Sequence, residues 1–468
     1  MRQLLTKFVV LGLLAFPAGA LHASGSDDAV RVYARGYVEG RAGTNIHLAT
    51  VPSFSRQTGL ACNACHTSFP RLTAFGRLFK LNGYTLTGLQ VVTAGADGQR
   101  PSLKLDLIPP ISAMAVSSFS QTAKDVPGTQ NGVVQLPQQL SLFFGEAITP
   151  RLGTFMQLTY DPTAGTIGMD NLDIRFADHT RFVGRQLLYG ITLNNNPSVQ
   201  DVWNTAPAWR FPYMSSAVAP TPAAATLIDG GLAQAVAGLG AYGLWDNLVY
   251  AEASVYRSAA QGGPNPPDAG SSMTIQGGAP YWRLTLQRQW ASDFLAIGTY
   301  GMATTLFPTG VTGPTDRYTD VGFDAQYERP LGSGNLTLHG TYITESQRLD
   351  GSVAAGAASN LSDKLHTFRV DGSLLTKQRI GLTLAYFSTT GDADALRYPA
   401  GAVSGSGTAS PNSDGMMAEL EALPWLNTRF ALQYVAYTKF NGGSTNYDAA
   451  GRNAADNNTL YLYTWLVF

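Results

Sequence analysis

The sequence of 468 residues predicts a mainly β protein, a 16-stranded antiparallel outer-membrane β-barrel with a small, partly helical N-terminal domain acting as its plug. Three observations favour this fold. Apolar and polar residues alternate with period two in segments that recur from Leu103 to the C-terminus. Short and long connections between these segments also alternate. Only 13% of the residues are charged, about half the share of an average globular domain.

The first 23 residues have the pattern of a secretory signal peptide, with cleavage expected near residues 20–23. Arg2 and Lys7 form the basic start, and an apolar run from Phe8 to Phe16 follows. The run is too short to span a membrane as a helix, and no later stretch reaches the roughly 18 apolar residues that a transmembrane helix requires. We therefore expect an exported protein that crosses the membrane, if it does so, as a barrel.

The composition also excludes one class of partner. The formal net charge is −1, and no basic cluster of the kind that binds nucleic acid is present. Low charge with abundant Gly, Tyr and Phe suits strands that contact outer-membrane lipid. We divide the mature chain into a small domain, residues 24–100, and the barrel, residues 101–468.

The small domain contains the sequence Cys62-Asn-Ala-Cys65-His66 near its middle. In an exported protein this spacing is typical of a c-type haem attachment, in which two thiols bind the haem vinyl groups and the imidazole binds iron. A redox dithiol or a four-residue disulfide is the alternative, but such a dithiol is expected near a βαβ pattern, and none surrounds the motif. We predict one covalent haem c on Cys62 and Cys65, with His66 as the proximal iron ligand, so that residues 24–100 form a monohaem cytochrome c domain.

The sixth iron ligand has three candidates. His47 is favoured as the distal ligand, because it is the one unassigned His or Met between the cleavage site and Met114 apart from His22, which adjoins that site. Met114, in the first predicted strand, is the second candidate. An open or water-ligated iron is the third.

The segment from Phe69 to Leu81 predicts one amphipathic helix after the motif. We expect its apolar face to lie on the porphyrin and its basic residues to lie on the surface. A helix that packs on protein alone is the alternative, although about 70 residues supply little core without a haem. The apolar residues are Leu72, Phe75, Leu78 and Phe79, and the basic residues are Arg71, Arg77 and Lys80.

The barrel is predicted from the alternation of its strands and from its connections. Phe430, Leu432 and Tyr434 share one face of a strand, for example, and Arg429 and Gln433 share the other. Short turns follow the even strands and longer loops follow the odd strands, which predicts that both chain ends are periplasmic. The sixteen strands are predicted to begin near Leu103, Val134, Leu152, Asn171, Gln186, Gly231, Leu248, Pro280, Asp293, Tyr318, Asn335, Leu365, Ile380, Gly415, Thr428 and Thr459.

The lumen is predicted to carry charges of both signs, which suits either a water-filled pore or a socket for a plug. The longest connection, Asn194 to Asp229, follows the fifth strand and is rich in aromatic residues. We predict that it folds into the lumen and limits the approach of an external donor to the haem; an outward loop that only lids the barrel or contacts a neighbouring subunit is the alternative. The inward charged residues are Asp173, Arg175, Arg283, Asp324, Arg369, Asp371, Glu419, Glu421 and Arg429, and the aromatic residues of the loop are Trp203, Trp209, Phe211 and Tyr213.

Three stretches carry a resemblance to a known family. They are Phe54-Ser-Arg-Gln-Thr-Gly-Leu-Ala-Cys-Asn-Ala-Cys-His-Thr, Phe75-Gly-Arg-Leu-Phe-Lys-Leu-Asn-Gly-Tyr and Asn194-Asn-Asn-Pro-Ser-Val-Gln-Asp-Val-Trp-Asn-Thr. In these stretches and in its whole architecture the chain resembles the fused cytochrome-porins, outer-membrane cytochromes associated with Fe(II) oxidation. The resemblance implies one covalent haem c in or under a roughly sixteen-stranded porin, with electrons passed inward to periplasmic carriers.

Two functions from different classes follow. The first is an oxidoreductase that oxidises extracellular Fe(II) at the haem and passes electrons to a periplasmic c-type cytochrome or another soluble carrier; a different extracellular donor is a variant of it. The second is a diffusion porin whose haem domain is a redox-sensitive gate or a stopper. No cluster dedicated to iron stands out, because the carboxylates that hard cations prefer are scattered over the outer loops, among them Asp161, Asp170 and Asp201.

Overall fold

The computed structural model describes residues 52–87, 110–162, 165–259 and 266–468. All of them belong to one compact unit, Ile46–Leu89 with Asp97–Phe468. No helix in the described ranges is both long and apolar enough to cross a membrane.

The described part of the small domain contains three short helices and one hairpin. The chain enters its second helix at the first cysteine of the C-x-x-C-H motif. The elements are α1 (Ser53–Thr58), α2 (Cys62–Cys65), β1 (His66–Ser68), β2 (Arg71–Leu72) and α3 (Ala74–Leu81).

The rest of the described chain forms sixteen long antiparallel strands and a few short elements in the loops. A short strand, β10 (Ser272–Ile275), pairs with the outer end of β12, and a short helix, α4 (Asp350–Ala354), follows β14. The long strands are β3 (Ile111–Thr122), β4 (Val133–Thr149), β5 (Leu152–Asp161), β6 (Thr166–Phe182), β7 (Arg185–Asn194), β8 (Val236–Trp245), β9 (Val249–Ser258), β11 (Ala279–Trp290), β12 (Asp293–Thr309), β13 (Asp316–Leu331), β14 (Gly334–Arg348), β15 (Ser362–Thr376), β16 (Ile380–Gly391), β17 (Ser413–Trp425), β18 (Thr428–Lys439) and β19 (Thr459–Val467).

These sixteen strands close into a ring. Each pairs with its neighbours in sequence, β9 pairs with β11, and the last strand, β19, pairs with the first, β3. Closure satisfies the backbone hydrogen bonds of every strand, which is the condition for crossing lipid as a β structure. The predicted 16-stranded antiparallel barrel is confirmed.

The two faces of the barrel wall differ as predicted. On β18, Phe430, Leu432 and Tyr434 are exposed on the outer face, whereas Arg429 and Gln433 are buried on the inner face. An apolar outer face around a polar interior is the architecture of a β-barrel of the bacterial outer membrane.

The connections confirm the predicted asymmetry. When the sixteen barrel strands are counted from β3 as the first, the turns after the even strands have two or three residues, as between Thr149 and Leu152, and the longer connections lie at the other end of the barrel. The start of β3 and the end of β19 meet at the short-turn end, where the backbone groups of Ala113 and Phe468 exchange two hydrogen bonds of 2.6 and 2.8 Å.

The predicted strand starts agree with the structure at most positions. The start at Leu103 lies outside the described residues, and β3 is described from Ile111. The start at Gly231 is wrong by five residues, because a turn with a hydrogen bond from Gly231 N to Leu227 O (2.9 Å) precedes β8. β6 begins earlier than predicted, at Thr166 rather than Asn171.

Candidate functional site

Residues 52–87, which we call the plug, lie inside the barrel and contact widely separated strands. Tyr84 donates to Asp173 on β6 (2.6 Å), and Ser68 donates to Glu421 on β17 (2.8 Å). On the same side of the barrel as Asp173, the hydroxyl of Tyr242 on β8 donates to the Leu81 carbonyl (2.6 Å). The plug therefore spans the lumen rather than resting on one side of it.

The plug sits toward the short-turn end. A Cβ placed on Gly83 would lie 2.9 Å from the carbonyl oxygen of Arg175 and 3.5 Å from that of Arg151, in the turn between β4 and β5. Gly83 also has a φ of +69°, a conformation in which a glycine avoids the strain of a side chain. The close approach of plug and wall there requires a glycine.

The C-x-x-C-H motif forms one helical turn followed by a hairpin strand. The backbone N–H of His66 donates to the carbonyl of Cys62, so the two cysteines begin and end a single helical turn and lie on the same face of it. Both cysteines are free and half-buried. His66 Nδ1 lies 3.3 Å from the carbonyl oxygen of Pro70, and because a carbonyl only accepts, Nδ1 is the protonated nitrogen.

The hairpin and α3 hold this turn in place. Thr73 donates through its backbone N–H to Cys65 O (2.9 Å) and through its hydroxyl to Ala64 O (2.6 Å). The same hydroxyl accepts from Gly76 N (3.1 Å), so Thr73 also caps the start of α3. A Cβ on Gly76 would lie 2.2 Å from Cys65 O, so α3 packs directly on the motif at a position where only glycine fits.

Burial sets the protonation of the motif. It raises the pKa of Cys62 and raises the pKa of Cys65 to about 12. Reactive dithiols have depressed thiol pKa values, and these two thiols lack that depression. Burial lowers the pKa of His66 to about 4, against the effect of its hydrogen bonds to the backbone at Pro70 and Arg71. The imidazole is thus neutral at pH 7, as an iron ligand must be.

The predicted helix is shorter than expected and its basic residues are not on the surface. It begins at Ala74 rather than near Phe69, because Pro70 lies in the hairpin turn and Thr73 supplies the cap. Arg77 is buried and bonds Glu328 on β13, and Arg71 is buried beside Glu421. Lys80 is partly buried and donates to the carbonyl of Val199. The expected surface position of these three residues is wrong, because the lumen wall supplies the partners of Arg77 and Arg71 and the connection between β7 and β8 supplies that of Lys80.

The apolar side of α3 packs within the protein. Phe79 is buried against Phe54 (ring centroids 5.2 Å apart) and Tyr84 (6.2 Å), and Phe54 stacks on Tyr84 (5.5 Å). Leu78 packs on the cluster that contains Leu81 and Trp203.

The two distal-ligand candidates fall in different parts of the chain. His47, like His22 and the signal segment, lies outside the described residues. Met114 is buried on the lumen face of β3, at 3% exposure. Two residues earlier on the same face, Ser112 contacts Ser53 of the plug, with 3.4 Å between their hydroxyl oxygens. Met114 therefore belongs to the part of the wall that borders the plug.

The predicted inward charges all face the lumen, where they pair with each other and with the plug. Arg429 is the clearest example, because it bonds Glu419 (2.5 Å), Glu421 (2.6 Å) and the carbonyl of Phe69 in the plug (2.7 Å). The mixed-sign wall is thus a socket for the plug. The other pairs are Arg175 with Asp173 (2.7 Å), Arg283 with Asp324, and Arg369 with Asp371 (3.9 Å).

The long connection between β7 and β8, residues 195–235, folds into the lumen as predicted. We call it the constriction loop. Trp203 is buried and donates to Gln287 on β11 (3.1 Å), and Thr205 reaches the far wall, where it donates to Asp324 on β13 (2.5 Å). It contacts the plug as well, because the guanidinium of Arg71 lies 5.3 Å from the ring centroid of Tyr213.

A cavity of about 290 Å³ remains between the constriction loop and the wall. Asp170 and Gln234 line it, and so do Met114 and Trp465 at greater depth. Within the described ranges, no three His, Cys, Asp or Glu side chains are grouped to hold a metal ion. Asp201, expected on an outer loop surface, is instead buried, 3.6 Å from Arg283, and accepts N–H groups of its own loop.

No family model matches the chain, and no curated protein is significantly similar to it. Among solved structures, it is similar to the outer membrane channel DcaP of Acinetobacter baumannii, at 12% identity and a TM-score of 0.44, over 76% of this chain and 96% of that chain. It is also similar to an anion-selective porin from Comamonas acidovorans, at 11% identity and a TM-score of 0.43, over 76% and 98%. A third similar structure is a loop-deletion mutant of OmpT from Vibrio cholerae, at 11% identity and a TM-score of 0.41, over 76% of this chain and 98% of that chain. The sixteen-strand barrel is established by its own strand pairing, not by these likenesses.

Sequence reasoning missed two features of the site. The tight packing at Gly76 and Gly83 could have been suspected from two glycines placed in and just after a short amphipathic helix. No feature of the sequence indicates the contact between the rings of Phe69 and His66, whose centroids lie 4.8 Å apart, because the predicted helix includes Phe69.

Proposed function

We propose that the chain is an outer-membrane oxidoreductase of the fused cytochrome-porin kind, which oxidises extracellular Fe(II) and passes electrons to a periplasmic carrier such as a soluble c-type cytochrome. One observation carries the proposal: the Cys62-Asn-Ala-Cys65-His66 turn lies in a plug inside a closed barrel. A redox group held there would lie within the wall that separates the two compartments.

The residues of the motif fit a haem c. Two free thiols lie on one turn, and His66 is neutral, with Nδ1 bonded to the Pro70 carbonyl, so that Nε2 would be the nitrogen that binds iron. Cys62 and Cys65 would hold the porphyrin as thioethers, and His66 would be the proximal ligand. His47 is the proposed distal ligand, with Met114 the second candidate. A bound haem c would supply a one-electron Fe(III)/Fe(II) centre.

The surroundings of the motif suit this role. Short turns of outer-membrane barrels are periplasmic, so we infer that the plug and both chain ends face the periplasm, where soluble carriers are present. The wall residues Glu328, Glu421 and Arg429 hold the plug by buried ion pairs and hydrogen bonds. The constriction loop covers its other side and limits what approaches from outside.

A diffusion porin with the plug as its gate or stopper is the second candidate. The cavity beside the constriction loop is the observation that favours it, because it leaves part of the lumen unfilled. Swelling of liposomes that contain the folded protein, in solutions of small sugars, tests this function. The electron-transfer proposal expects no swelling.

The main proposal is tested by an anaerobic titration of the folded protein with Fe(II), followed at the haem absorption band. We expect full reduction by Fe(II). Reduction by dithionite but not by Fe(II) would point to another extracellular donor. Haem attachment is tested separately on a denaturing gel: wild-type protein should keep its haem stain, and the double variant Cys62→Ala, Cys65→Ala should lose it. A stain that survives both substitutions would contradict the assignment.

A further inference from the structure

We propose that the cavity between the constriction loop and the wall binds the electron donor, and that this donor is a small hydrated divalent cation in solution rather than a mineral surface or a bulky chelate. The inference rests on the proposed function and deepens it. The cavity would hold the donor, which loses one electron to the proposed haem and leaves as the oxidised cation, with no atom transferred.

The cavity runs from an exposed polar end to a buried end. At the exposed end, Gln234 of the loop donates to Asp170 on β6 (2.8 Å). At the buried end lie Met114 on β3 and Trp465 on β19, at 3% and 2% exposure. Asp170 lies near the start of β6, at the end of the barrel opposite the short turns, whereas Met114 pairs with Val467 near the short turns. The cavity therefore leads from the long-loop side toward the plug.

An apolar cluster connects the buried end of the cavity with the C-x-x-C-H motif. Met114, Trp465 and Tyr213 belong to one apolar cluster, and Phe69 of the plug packs against that cluster. The ring of Phe69 in turn contacts the imidazole of His66, with 4.8 Å between centroids. Phe69 is thus the spacer between a donor in the cavity and the proposed proximal ligand.

The spacer is held from the wall. Arg429 donates to the carbonyl of Phe69 (2.7 Å), and its guanidinium also lies 5.9 Å from the ring centroid of Trp465. The same arginine therefore fixes the plug residue and contacts the buried end of the cavity, which keeps the separation between cavity and motif constant.

The size and lining of the cavity select the class of donor. Six waters at about 30 Å³ each occupy roughly 180 Å³, so a hexahydrated cation fits within about 290 Å³. Four polar residues line the cavity: Gln139, Gln157, Asn171 and Asp170. Amide and carboxylate oxygens of this kind can accept hydrogen bonds from the water shell of a hard cation. Arg210 also lines the cavity, so the negative charge of Asp170 is balanced by a positive one. This balance favours brief binding and release of the oxidised product.

The test uses introduced thiols, because Cys62 and Cys65 are the only cysteines of the chain and would be blocked as thioethers. Ala208→Cys places a thiol in the cavity lining. Ala206→Cys is the matched control, two residues away in the same loop but buried in an apolar cluster at 5% exposure. We expect a small charged methanethiosulfonate reagent, added to the folded holoprotein, to label Ala208→Cys at least tenfold faster than Ala206→Cys. Equal rates would overturn the proposed access.

The second measurement links the cavity to the donor. We expect labelled Ala208→Cys to be reduced by aquated Fe(II) at least tenfold more slowly than the unlabelled variant, with its haem spectrum, midpoint potential and reduction by dithionite unchanged. An unchanged rate after labelling would overturn the donor site alone. A wild-type protein that Fe(II) does not reduce would overturn the proposed function, and labelled wild-type cysteines would overturn the haem attachment. If Ala208→Cys does not assemble, Ala233→Cys, which lines the same cavity, replaces it.

Discussion

The guanidinium of Arg77 in the plug meets the carboxylate of Glu328 on β13 at two points, with 2.5 Å from Nη1 to Oε1 and 3.1 Å from Nη2 to Oε2. The guanidinium also lies 4.2 Å from the ring centroid of Phe294 on β12. A planar guanidinium suits both contacts in a way that an ammonium does not. This residue pair fixes α3, and through Gly76 it fixes the turn that carries Cys65.

We expect Glu328→Gln to loosen the plug, because it leaves a buried guanidinium without its counter-charge. Removing one partner of a fully buried pair costs about 3–5 kcal/mol, and the partial exposure of Glu328, 20%, reduces this to roughly 2–3 kcal/mol. The heating temperature at which the folded protein unfolds and changes its mobility on detergent gels should fall. Asp350→Asn, which breaks the exposed pair with Arg348, is the control and should leave that temperature unchanged. An Arg77→Lys variant with the same unfolding temperature as the wild type would contradict the bidentate assignment.

The position of Arg77 illustrates what the sequence could and could not predict. The barrel was predictable because period-two alternation and turn length are local signals, and β18 shows that alternation from Arg429 to Tyr434. The inward fold of the constriction loop was predictable from its length and its aromatic residues. The partner of Arg77 was not, because Glu328 is 251 residues away. Helical spacing identified the apolar side of α3, but no local pattern indicates that its basic residues would also be covered by protein.

The distal ligand is tested by substituting its two candidates. Axial ligand identity is a main determinant of haem potential, and methionine raises it. If His47 is the ligand, His47→Met should shift the midpoint potential upward, and His47→Ala should change the spectrum, whereas Met114→Ala should change neither. The measurement is a redox titration of each folded variant. The reverse pattern would assign Met114, which the structure places on the wall beside the plug.

Lys80 predicts a pH dependence of stability. Burial, with repulsion from Arg175, lowers its pKa from the ordinary 10.5 to about 8. Between these values the unfolded chain binds more protons than the folded chain, so this lysine makes stability rise with pH from about 8 to 10.5. Below pH 8 both states are charged and its unfavourable contribution is constant. Lys80→Met should remove the rise, measured as the urea midpoint across this range. Lys124→Met, at an exposed lysine, is the control and should keep it; an equal rise in Lys80→Met would contradict the assignment.

The constriction loop provides the last prediction. Deleting residues 202–213 removes Trp203, Trp209 and Tyr213 but leaves β7 and β8, which pair with each other over eight positions. It touches no residue of the C-x-x-C-H motif, so barrel mobility on gels and haem stain should be retained. Because Tyr213 and Trp209 line the cavity, we expect its walls to open and the haem to be reduced faster by aquated Fe(II).

The gain should be larger for a donor that the intact cavity excludes. Fe(II) in a bulky chelate should reduce the wild type slowly and the deletion variant several-fold faster, because the loop fills the lumen from Trp203 at β9 to Thr205 at β13. Stopped-flow absorbance at the haem band measures both donors. A matched reduction with dithionite shows whether the haem itself has changed. If both Fe(II) rates stayed within error of wild type while the barrel and haem were intact, the loop would have no part in donor access, and the covering of the plug by Tyr213 would be a packing contact alone.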